Sequence, residues 1–254
     1  MSTLNTVTNT QQSMPSPRFT VTIAATLEEI RECQRLRYEV FANEMKAQLD
    51  TPLAGHDVDY FDDYCDHLYV RDMDTQTVIA TTRILTNKAA HKAGSYYSET
   101  EFDIKNIVSA PSNYMEVGRT CVHARYRRGV GLHYLWQGVG NIMSYHRAQY
   151  LFGCVSIPHR PGDTYIANIM HHIRKNHYAP GYLRVTPRMP VNLERVDDSV
   201  PVVLPPLLRT YLKMGALACG EPSLDEKFGV ADIFILVDRQ HMNQSYDRHF
   251  TGGL

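Results

Sequence analysis

The stretch Tyr114-Met-Glu-Val-Gly-Arg-Thr-Cys-Val-His-Ala-Arg-Tyr-Arg-Arg-Gly-Val-Gly-Leu132 decides the fold that we expect for this chain. It predicts a β-strand that leads into a basic turn with glycines, followed directly by an amphipathic helix. Backbone N–H groups at the start of a helix bind anions, so this turn can hold a phosphate. Glu116 places a carboxylate beside that position. A base next to an anion cradle indicates group transfer from a carrier.

Gly118 interrupts the strand between two charged residues. Side chains alternate along a regular strand, so Glu116 and Arg119 would point to opposite faces. A glycine inside a strand often marks a β-bulge. A bulge here would bring both side chains to one face and splay the strand from its neighbour. An edge strand with a solvated Glu116 and Arg119 explains the pattern equally well.

The composition excludes several classes of protein. The formal net charge is −1 over 254 residues, which is not that of a broadly basic nucleic-acid binder. No apolar run approaches the roughly 18 residues that a membrane span needs. The five cysteines contain no Cys-x-x-Cys pair, which argues against disulfides and structural zinc, and we expect no bound metal. These features fit a reducing cytoplasm.

The predicted elements form one domain over residues 18–240. Residues 1–17 are rich in Thr, Asn, Gln and Ser and lack the basic and apolar parts of a signal peptide, so we interpret them as a flexible tail. Residues 241–254 are expected to be a loose C-terminal tail. Residues 150–157 form a mostly apolar run after the helix of the quoted stretch, which predicts a βαβ crossover.

An acidic loop with aromatic residues precedes two antiparallel strands, which the sequence predicts at residues 67–72 and 77–85. It has five aspartates between positions 57 and 66. Aspartate favours turns, so a solvated loop is one interpretation. A calcium site is disfavoured, because the spacing and the terminal glutamate of an EF-hand are missing. Asp59 and Asp62 can instead bind a cationic substrate such as a basic amino acid.

Three further features carry positive charge. Arg37 lies beside the buried stripe of the helix predicted after Thr26, where arginines are usually solvated. Arg83 lies inside an apolar strand, where it needs a partner or a ligand. Basic residues also cluster at 125–128 and between 160 and 188. These clusters offer a docking face for an acidic partner, or they are ordinary surface charge.

Six signatures occur in order along the chain: Arg37-Tyr-Glu-Val-Phe41; Asp59-Tyr-Phe-Asp62 with Cys65-Asp-His-Leu68; Thr82-Arg-Ile-Leu85 with Tyr97-Ser98 and Glu101-Phe-Asp-Ile104; Glu116-Val-Gly-Arg119 with Cys121-Val-His123; Tyr150-Leu-Phe-Gly-Cys154; and Leu204-Pro-Pro-Leu207 with Tyr211 and Asp232. Together they resemble the GCN5-related N-acetyltransferase (GNAT) superfamily. The resemblance is closest to its acyl-carrier-protein-dependent branch, which includes acyl-homoserine-lactone synthases and the ornithine N-acyltransferases of ornithine-lipid synthesis. The later signatures favour the ornithine acyltransferases.

The resemblance implies an α/β fold: a single GNAT-like domain whose mixed central sheet is flanked by helices and has a splayed central strand. It implies transfer of a 3-hydroxy fatty acyl group from acyl carrier protein to the α-amine of ornithine. The carrier's phosphopantetheine thioester would be a co-substrate, and no cofactor would stay bound. Acyl carrier protein and an amino acid would be the partners, without nucleic acid. The enzyme would be cytoplasmic. Because its product would be a lipid, we also expect the enzyme to contact the inner membrane peripherally.

The resemblance also assigns roles to residues. Glu116 would be the general base that deprotonates the amine, directly or through one water. Glu116→Gln would then abolish turnover while leaving the fold intact. Arg119 would orient Glu116 or bind the substrate carboxylate. The substrate-binding residues would be Arg37, Phe41, Asp59, Asp62 and Arg83, and the acyl-donor-binding residues would be Val122, Arg127, Arg128, Gly129 and Gly131.

Other activities fit the same residues. The acceptor can be glycine or another amine, the donor can be acyl-CoA, and a lactone synthase would require S-adenosylmethionine. An inactive carrier-binding or membrane-perturbing module is the alternative outside the enzymes. The phosphate turn is one residue short of the superfamily pattern Arg/Gln-x-x-Gly-x-Gly/Ala, because Tyr126 stands three residues before Gly129. The departure disfavours coenzyme A, since a carrier protein offers only one phosphate.

Overall fold

The computed structural model describes residues 18–127, 130–159, 162–193, 195–197, 199 and 201–243, and one eight-stranded sheet dominates this part of the chain. The strands are β1 (Phe19–Ile23), β2 (Asp66–Asp72), β3 (Thr77–Thr86), β4 (Phe102–Asp103), β5 (Tyr114–Val122), β6 (Tyr150–Pro158), β7 (Thr186–Pro187), β8 (Leu217–Ala218), β9 (Ser223–Asp225) and β10 (Val230–Asp238). The helices are α1 (Leu27–Tyr38), α2 (Asn87–Ala93), α3 (Lys105–Val108), α4 (Val130–Tyr145), α5 (Asp163–Asn176) and α6 (Pro206–Met214).

The large sheet has the strand order β1-β2-β3-β5-β6-β10-β8, with β9 also paired to β10. β5 and β6 are parallel and are joined by α4, whereas the other neighbouring strands of this sheet are antiparallel. The mixed sheet and the predicted βαβ crossover are therefore confirmed. A separate pair, β4 with β7, lies outside the sheet.

Helix α1 begins where the sequence predicted it. The Thr26 side chain accepts a hydrogen bond from the Glu29 N–H, and the Glu29 carboxylate accepts one from the Thr26 N–H at 3.0 Å, which forms a capping box. Cys33 and Leu36 are buried in a small core of their own, together with Tyr69 of β2. The helix continues directly into a π-helical turn at Glu39–Glu44.

Alternating side chains give the sheet two different faces. Ile233 and Ile235 of β10 belong to the largest core cluster, which α4 and α5 cover. Phe234 and Leu236 point the opposite way, into a second cluster with Phe152 of β6. Because both faces are covered by apolar residues, β6 and β10 are nearly continuous apolar runs.

The parallel strands β5 and β6 separate after a short region of pairing. They pair only from Tyr114 with Tyr150 to Glu116 with Phe152, although β5 continues to Val122 and β6 to Pro158. The predicted splay of the central strand is confirmed. At the point of separation, a Cβ added to Gly153 would lie 2.2 Å from the carbonyl oxygen of Val117. Only glycine permits this close approach.

A β-bulge lies in β5, one residue beyond Gly118. The register with β3 shifts between Thr81 and Arg83, so Arg119 and Thr120 together face Thr82. Arg119 has a left-handed backbone with φ of 51°. The Thr82 hydroxyl bonds the Thr120 hydroxyl at 2.7 Å and the Gly118 carbonyl at 3.2 Å, which holds the bulge. The predicted bulge is thus present, but Arg119 rather than Gly118 adopts the unusual conformation.

The domain extends slightly beyond the predicted C-terminal boundary at residue 240. Met242 is buried in the main core, and the Asn243 N–H donates to the Met214 carbonyl at 3.1 Å. The predicted tail at 1–17, and residues 244–254 of the tail predicted at 241–254, lie outside the described residues. Among the helices that the structure describes, none is long and apolar enough to span a membrane.

Gly153→Ala tests the point where the strands separate. The added methyl group would collide with the backbone of β5, and we expect a loss of about 1–3 kcal/mol in the free energy of unfolding. Urea denaturation measures this. Gly118→Ala is the matched control, because a Cβ at Gly118 meets no atom within 4 Å and its φ is not left-handed. Equal stability of the two variants would contradict the described contact.

Candidate active site

Arg37 of α1 is fully buried and bound to two aspartates. Its guanidinium donates to both Asp62 oxygens at 2.7 and 2.9 Å, and its Nε donates to Asp57 Oδ2 at 2.8 Å. Asp57 and Asp62 come from the acidic loop, whose 3-10 turn at Tyr60–Asp63 begins after Asp59. The loop is therefore fixed to the helix by ionic hydrogen bonds, and the solvated-loop interpretation is wrong for these aspartates.

Two arginines from the sheet complete the network. Arg83 of β3 binds Asp59, and it lies 3.4 Å from Asp62. Arg119, from the bulge of β5, binds Asp59 at 3.1 Å and Asp57 at 3.2 Å. With Arg37, three arginines face three aspartates, so the buried network has no net charge. We call these six residues the ion network.

The pKa values show how strongly the members of the network stabilise one another. Burial alone would raise the pKa of Asp62, but the hydrogen bonds and charge of Arg37, with the charge of Arg83, lower it below its usual range. Burial opposes the charge of Arg37, yet Asp57 and Asp62 raise its pKa. Arg37 and Asp62 therefore stay ionised at neutral pH. Near them, burial lowers the pKa of His67, which favours its neutral form.

A cavity of about 200 Å³ opens where β5 and β6 separate. One wall is the bulged backbone from Val117 to Thr120, and the facing wall carries Cys154 and Ser156 of β6. Arg119 reaches this cavity from the ion network, and its guanidinium lies 4.8 Å from the centre of the Phe228 ring. Apolar side chains line another side: Phe41, Met45, Leu207 and Phe228.

Three carboxyl groups gather at the cavity. Asp225 of β9 and Asp232 of β10 line it, and Glu101 lies close enough that one oxygen from each of the three falls within 4.8 Å of the others. Burial and the neighbouring Asp232 raise the pKa of Glu101 to about 9. Burial also raises the pKa of Asp232, although a 2.7 Å hydrogen bond from Ser156 opposes this. We call these three residues the acidic cluster.

Glu116 lies in a separate closed niche beside the cavity. Its carboxylate accepts hydrogen bonds from the Tyr97 N–H at 2.8 Å, the Ser98 N–H at 2.7 Å and the Ser98 hydroxyl at 2.5 Å. Burial raises its pKa, and these hydrogen bonds oppose the shift. The niche holds about 10 Å³ and is also lined by Arg83, whose buried Nε has no hydrogen-bond partner among the described residues. Tyr97 and Gly118 border both the niche and the cavity.

The turn between β5 and α4 has contacts of its own. The exposed Arg127 is paired with Glu44 and donates to the Val122 carbonyl at 3.0 Å. A Cβ on Gly131 would lie 2.8 Å from the Val122 side chain, so glycine allows α4 to pack closely on β5. The strand–turn–helix prediction is confirmed. Arg128 and Gly129, both predicted to bind the acyl donor, lie outside the described residues.

Comparisons with known proteins agree with this architecture. A family model described as an acetyltransferase (GNAT) domain matches residues 36–137. The L-ornithine N(alpha)-acyltransferase of Brucella abortus (strain 2308) is 30% identical over 91% of this chain and 88% of its own length. The enzyme of that name from Rhizobium meliloti (strain 1021) is 31% identical over 85% of this chain and 78% of its own length. The chain belongs to the L-ornithine N(alpha)-acyltransferase family. It is therefore an acyltransferase.

Solved structures show the same fold at low sequence identity. FeeM, an N-acyl amino acid synthase from uncultured soil microbes, has a TM-score of 0.53 and 10% identity over 88% of this chain and 93% of its own. The acyl-homoserine-lactone synthase LasI has a TM-score of 0.50 and 11% identity over 93% and 96%. The expected GNAT-like fold is confirmed for this acyltransferase.

The structure separates the predicted site residues into four places. Phe41 and Arg119 line the cavity, and Glu116 and Arg83 line the niche. The described donor-binding candidates lie at the end of β5, in the turn and in α4: Val122, Arg127 and Gly131. The remaining substrate-binding candidates, Arg37, Asp59 and Asp62, are members of the ion network. Asp232, which belongs to the last of the six sequence signatures, lies at the cavity.

Several residues of the site were missed by sequence reasoning. Ser98 and Cys154 connect the niche to the cavity through a 3.5 Å contact between Sγ and Oγ. Glu101 joins Asp225 and Asp232 from more than one hundred residues away along the chain. The raised pKa of Glu101 indicates a functional cluster, but this shift arises only in the folded protein and cannot be seen in the sequence.

The hydrogen bonds of Glu116 change one sequence-based expectation. Glu116→Gln was expected to leave the fold intact. Tyr97 and Ser98 present only donors to the two carboxylate oxygens, so the –NH2 group of glutamine would face an N–H or O–H donor. We therefore expect this variant to be less stable, and a loss of its turnover would not by itself identify the base.

Arg37→Met tests whether the ion network holds the site together. The variant leaves Asp57 and Asp62 buried without their main cation, and we expect a loss of about 3–5 kcal/mol in the free energy of unfolding. Chemical denaturation followed by circular dichroism measures it. Arg35→Met is the control on the same helix: its ion pair with Glu28 is exposed, so its loss should be below about 1 kcal/mol. Similar losses in both variants would contradict the role of the network.

Proposed function

We propose that this protein transfers a 3-hydroxy fatty acyl group from acyl carrier protein to the α-amine of ornithine and forms lyso-ornithine lipid. The relatives named L-ornithine N(alpha)-acyltransferase support the acceptor, because their similarity extends over 85–91% of the chain. The observation that carries the proposal is the cavity at the separation of β5 and β6, which has an apolar side and an acidic side. An acyl thioester suits the apolar side, and a basic amino acid suits the acidic side.

The separation of β5 and β6 gives the phosphopantetheine arm a place to enter. Beyond Glu116 and Phe152 the two strands make no backbone pair with each other. The arm can extend between them as an added strand does and bring its thioester to the bulge. Backbone N–H groups of the bulge between Gly118 and Thr120 are then the donors for the oxyanion of the tetrahedral intermediate.

The acceptor amine must lose a proton before it attacks. An α-amine whose pKa is one to two units above 7 requires about 1.4–2.8 kcal/mol for this step. In our proposal Glu116 accepts the proton through one water held in the niche, which has about the smallest volume that holds a water. The water would accept from Arg83 Nε and donate to Glu116.

The acyl transfer then proceeds without a covalent enzyme intermediate. The amine nitrogen bonds to the thioester carbon, and the carbon–sulfur bond breaks when the tetrahedral intermediate collapses. The nitrogen loses its second proton as the amide forms, and the pantetheine sulfur, which leaves as a thiolate, takes up that proton. The first proton passes from Glu116 to solvent. Arg119 lines the cavity and offers its charge to the carboxylate of the acceptor. In this scheme the cavity cysteine, Cys154, is not a nucleophile, and burial raises the pKa of its thiol well above the usual value.

The proposal extends to partner and location. Acyl carrier protein is acidic. Its charge therefore complements the exposed basic residues Arg125 and Arg127 at the turn, where we expect it to dock. We place the enzyme in the cytoplasm, which agrees with five free cysteines, and in peripheral contact with the inner membrane, where a lipid product would leave.

A product assay tests the reaction. Purified protein is incubated with 3-hydroxyacyl-acyl carrier protein and a panel of free amino acids, and products are identified by mass spectrometry. We expect N-acylornithine. Acylation of a different amino acid would identify that amino acid as the acceptor, and turnover with acyl-CoA alone would identify acyl-CoA as the donor. Lactone formed with S-adenosylmethionine would indicate a lactone synthase. No acylated product with either donor would contradict the proposal.

Ser98→Ala tests Glu116 as the base without replacing it. The Ser98 hydroxyl bond lowers the pKa of Glu116, so its removal should raise that pKa. A base must be deprotonated, and the acidic limb of the kcat/KM profile should therefore move to higher pH. Thr100→Ala is the control, since Thr100 is exposed and its hydroxyl bonds only the Tyr97 carbonyl. An acidic limb that does not move would remove Glu116 as the base.

A further inference from the structure

The aspartates predicted to bind a cationic side chain are already neutralised within the protein. Asp59 contacts Arg83 and Arg119, and Asp62 contacts Arg37 and Arg83. Binding an ammonium group there would add a fourth positive charge to a buried network that is balanced at three against three. Neither aspartate lines the cavity. The charge of a basic acceptor must therefore be met elsewhere.

The acidic cluster has the opposite electrostatic balance. No arginine, lysine or histidine of the described part of the chain forms an ion pair with Glu101, Asp225 or Asp232. Arg119 is the nearby positive charge that acts on Asp232, and it is already shared by two aspartates of the ion network. Three carboxyl groups within 4.8 Å of one another repel unless they hold a proton or a cation.

The hydrogen bonds of the cluster also leave room for a cation. Asp232 is only 4% exposed and lines the cavity, with Oδ1 accepting from Ser156. Glu101 Oε1 accepts from the Tyr97 hydroxyl at 3.0 Å, while its buried Oε2 has no hydrogen-bond donor among the residues that the structure describes. Asp225 accepts from the Phe228 N–H at 3.0 Å. Because its pKa is raised to about 9, Glu101 holds a proton that it shares with Asp232. An ammonium group that takes the place of this proton supplies three donors to the same oxygens.

We propose that Asp225 and Asp232, supported by Glu101, bind the side-chain ammonium of the acceptor and thereby select a basic amino acid. This inference rests on the proposed function and assigns its acceptor specificity to named residues. The cluster lies on the cavity that the bulge and β6 enclose, so an amino acid held by its side chain there presents its α-amine to the same cavity. When the ammonium group binds, it takes the place of the proton that the crowded carboxyl groups hold.

The test compares ornithine with norvaline, which is the same amino acid without the side-chain amine. With acyl-acyl carrier protein as donor, wild-type protein should prefer ornithine. Asp225→Asn and Asp232→Asn should each raise the KM for ornithine roughly tenfold or more, and change the KM for norvaline and for the donor much less. Both variants should keep or raise the melting temperature, because they relieve repulsion among buried carboxyls. Asp63→Asn, an exposed aspartate of the acidic loop, is the matched control and should behave as wild type.

Three outcomes would overturn the inference. In the first, the Asn variants retain the preference for ornithine over norvaline. In the second, they lower the turnover of both acceptors equally. In the third, chelation with EDTA abolishes activity, and a divalent cation restores it. Calorimetric titration of the wild type and variants with ornithine and norvaline gives the same comparison without turnover. If the wild type acylates no amino acid, the proposed function fails, and the titration still decides whether the cluster selects a cationic side chain.

Discussion

The ionic hydrogen bonds between Arg37 and two aspartates determine how the rest of the site is arranged. Arg37 has no exposed surface, and burying its charge is favourable only because Asp57 and Asp62 meet it at 2.7 to 2.9 Å. The same aspartates, with Asp59, hold Arg83 and Arg119. One neutral network thus connects a helix, an irregular loop and two strands. Removal of the network would release the loop and the bulge together.

The bulge turns this structural network into a chemical site. A left-handed Arg119 diverts β5 from regular pairing, and β6 departs from it at Gly153. The space between them is the cavity. Arg119 forms part of the cavity wall while its charge is balanced by the ion network. None of the described residues therefore forms an ion pair with the acidic cluster, which includes Asp232. Two groups of acidic residues that look alike in composition therefore have different roles: one is structural, and the other is available to a ligand.

Much of the fold could be predicted from the sequence, because its signals are local. The capping box at Thr26 starts α1, alternation defines the strands, and the strand–turn–helix after Tyr114 gives the crossover. The splay was also predicted, from a glycine in a strand. The placement of charged residues was not predictable in the same way. The partners of Asp59 lie 24 and 60 residues away, and Asp232 meets Glu101 across most of the chain. Which aspartate is neutralised depends on these distant contacts, and no local pattern reports them.

The central claim is that the acyl group and the amino acid meet in the cavity between β5 and β6, with the amino-acid side chain directed to the acidic cluster. A crystal structure with ornithine and a non-reactive ketone analogue of acyl-phosphopantetheine tests it most directly. The account predicts the analogue between the separated strands, its ketone beside the bulge, and the ornithine side-chain nitrogen against Asp225 and Asp232. Ornithine bound to Asp59 and Asp62, with Arg83 displaced from them, would contradict it.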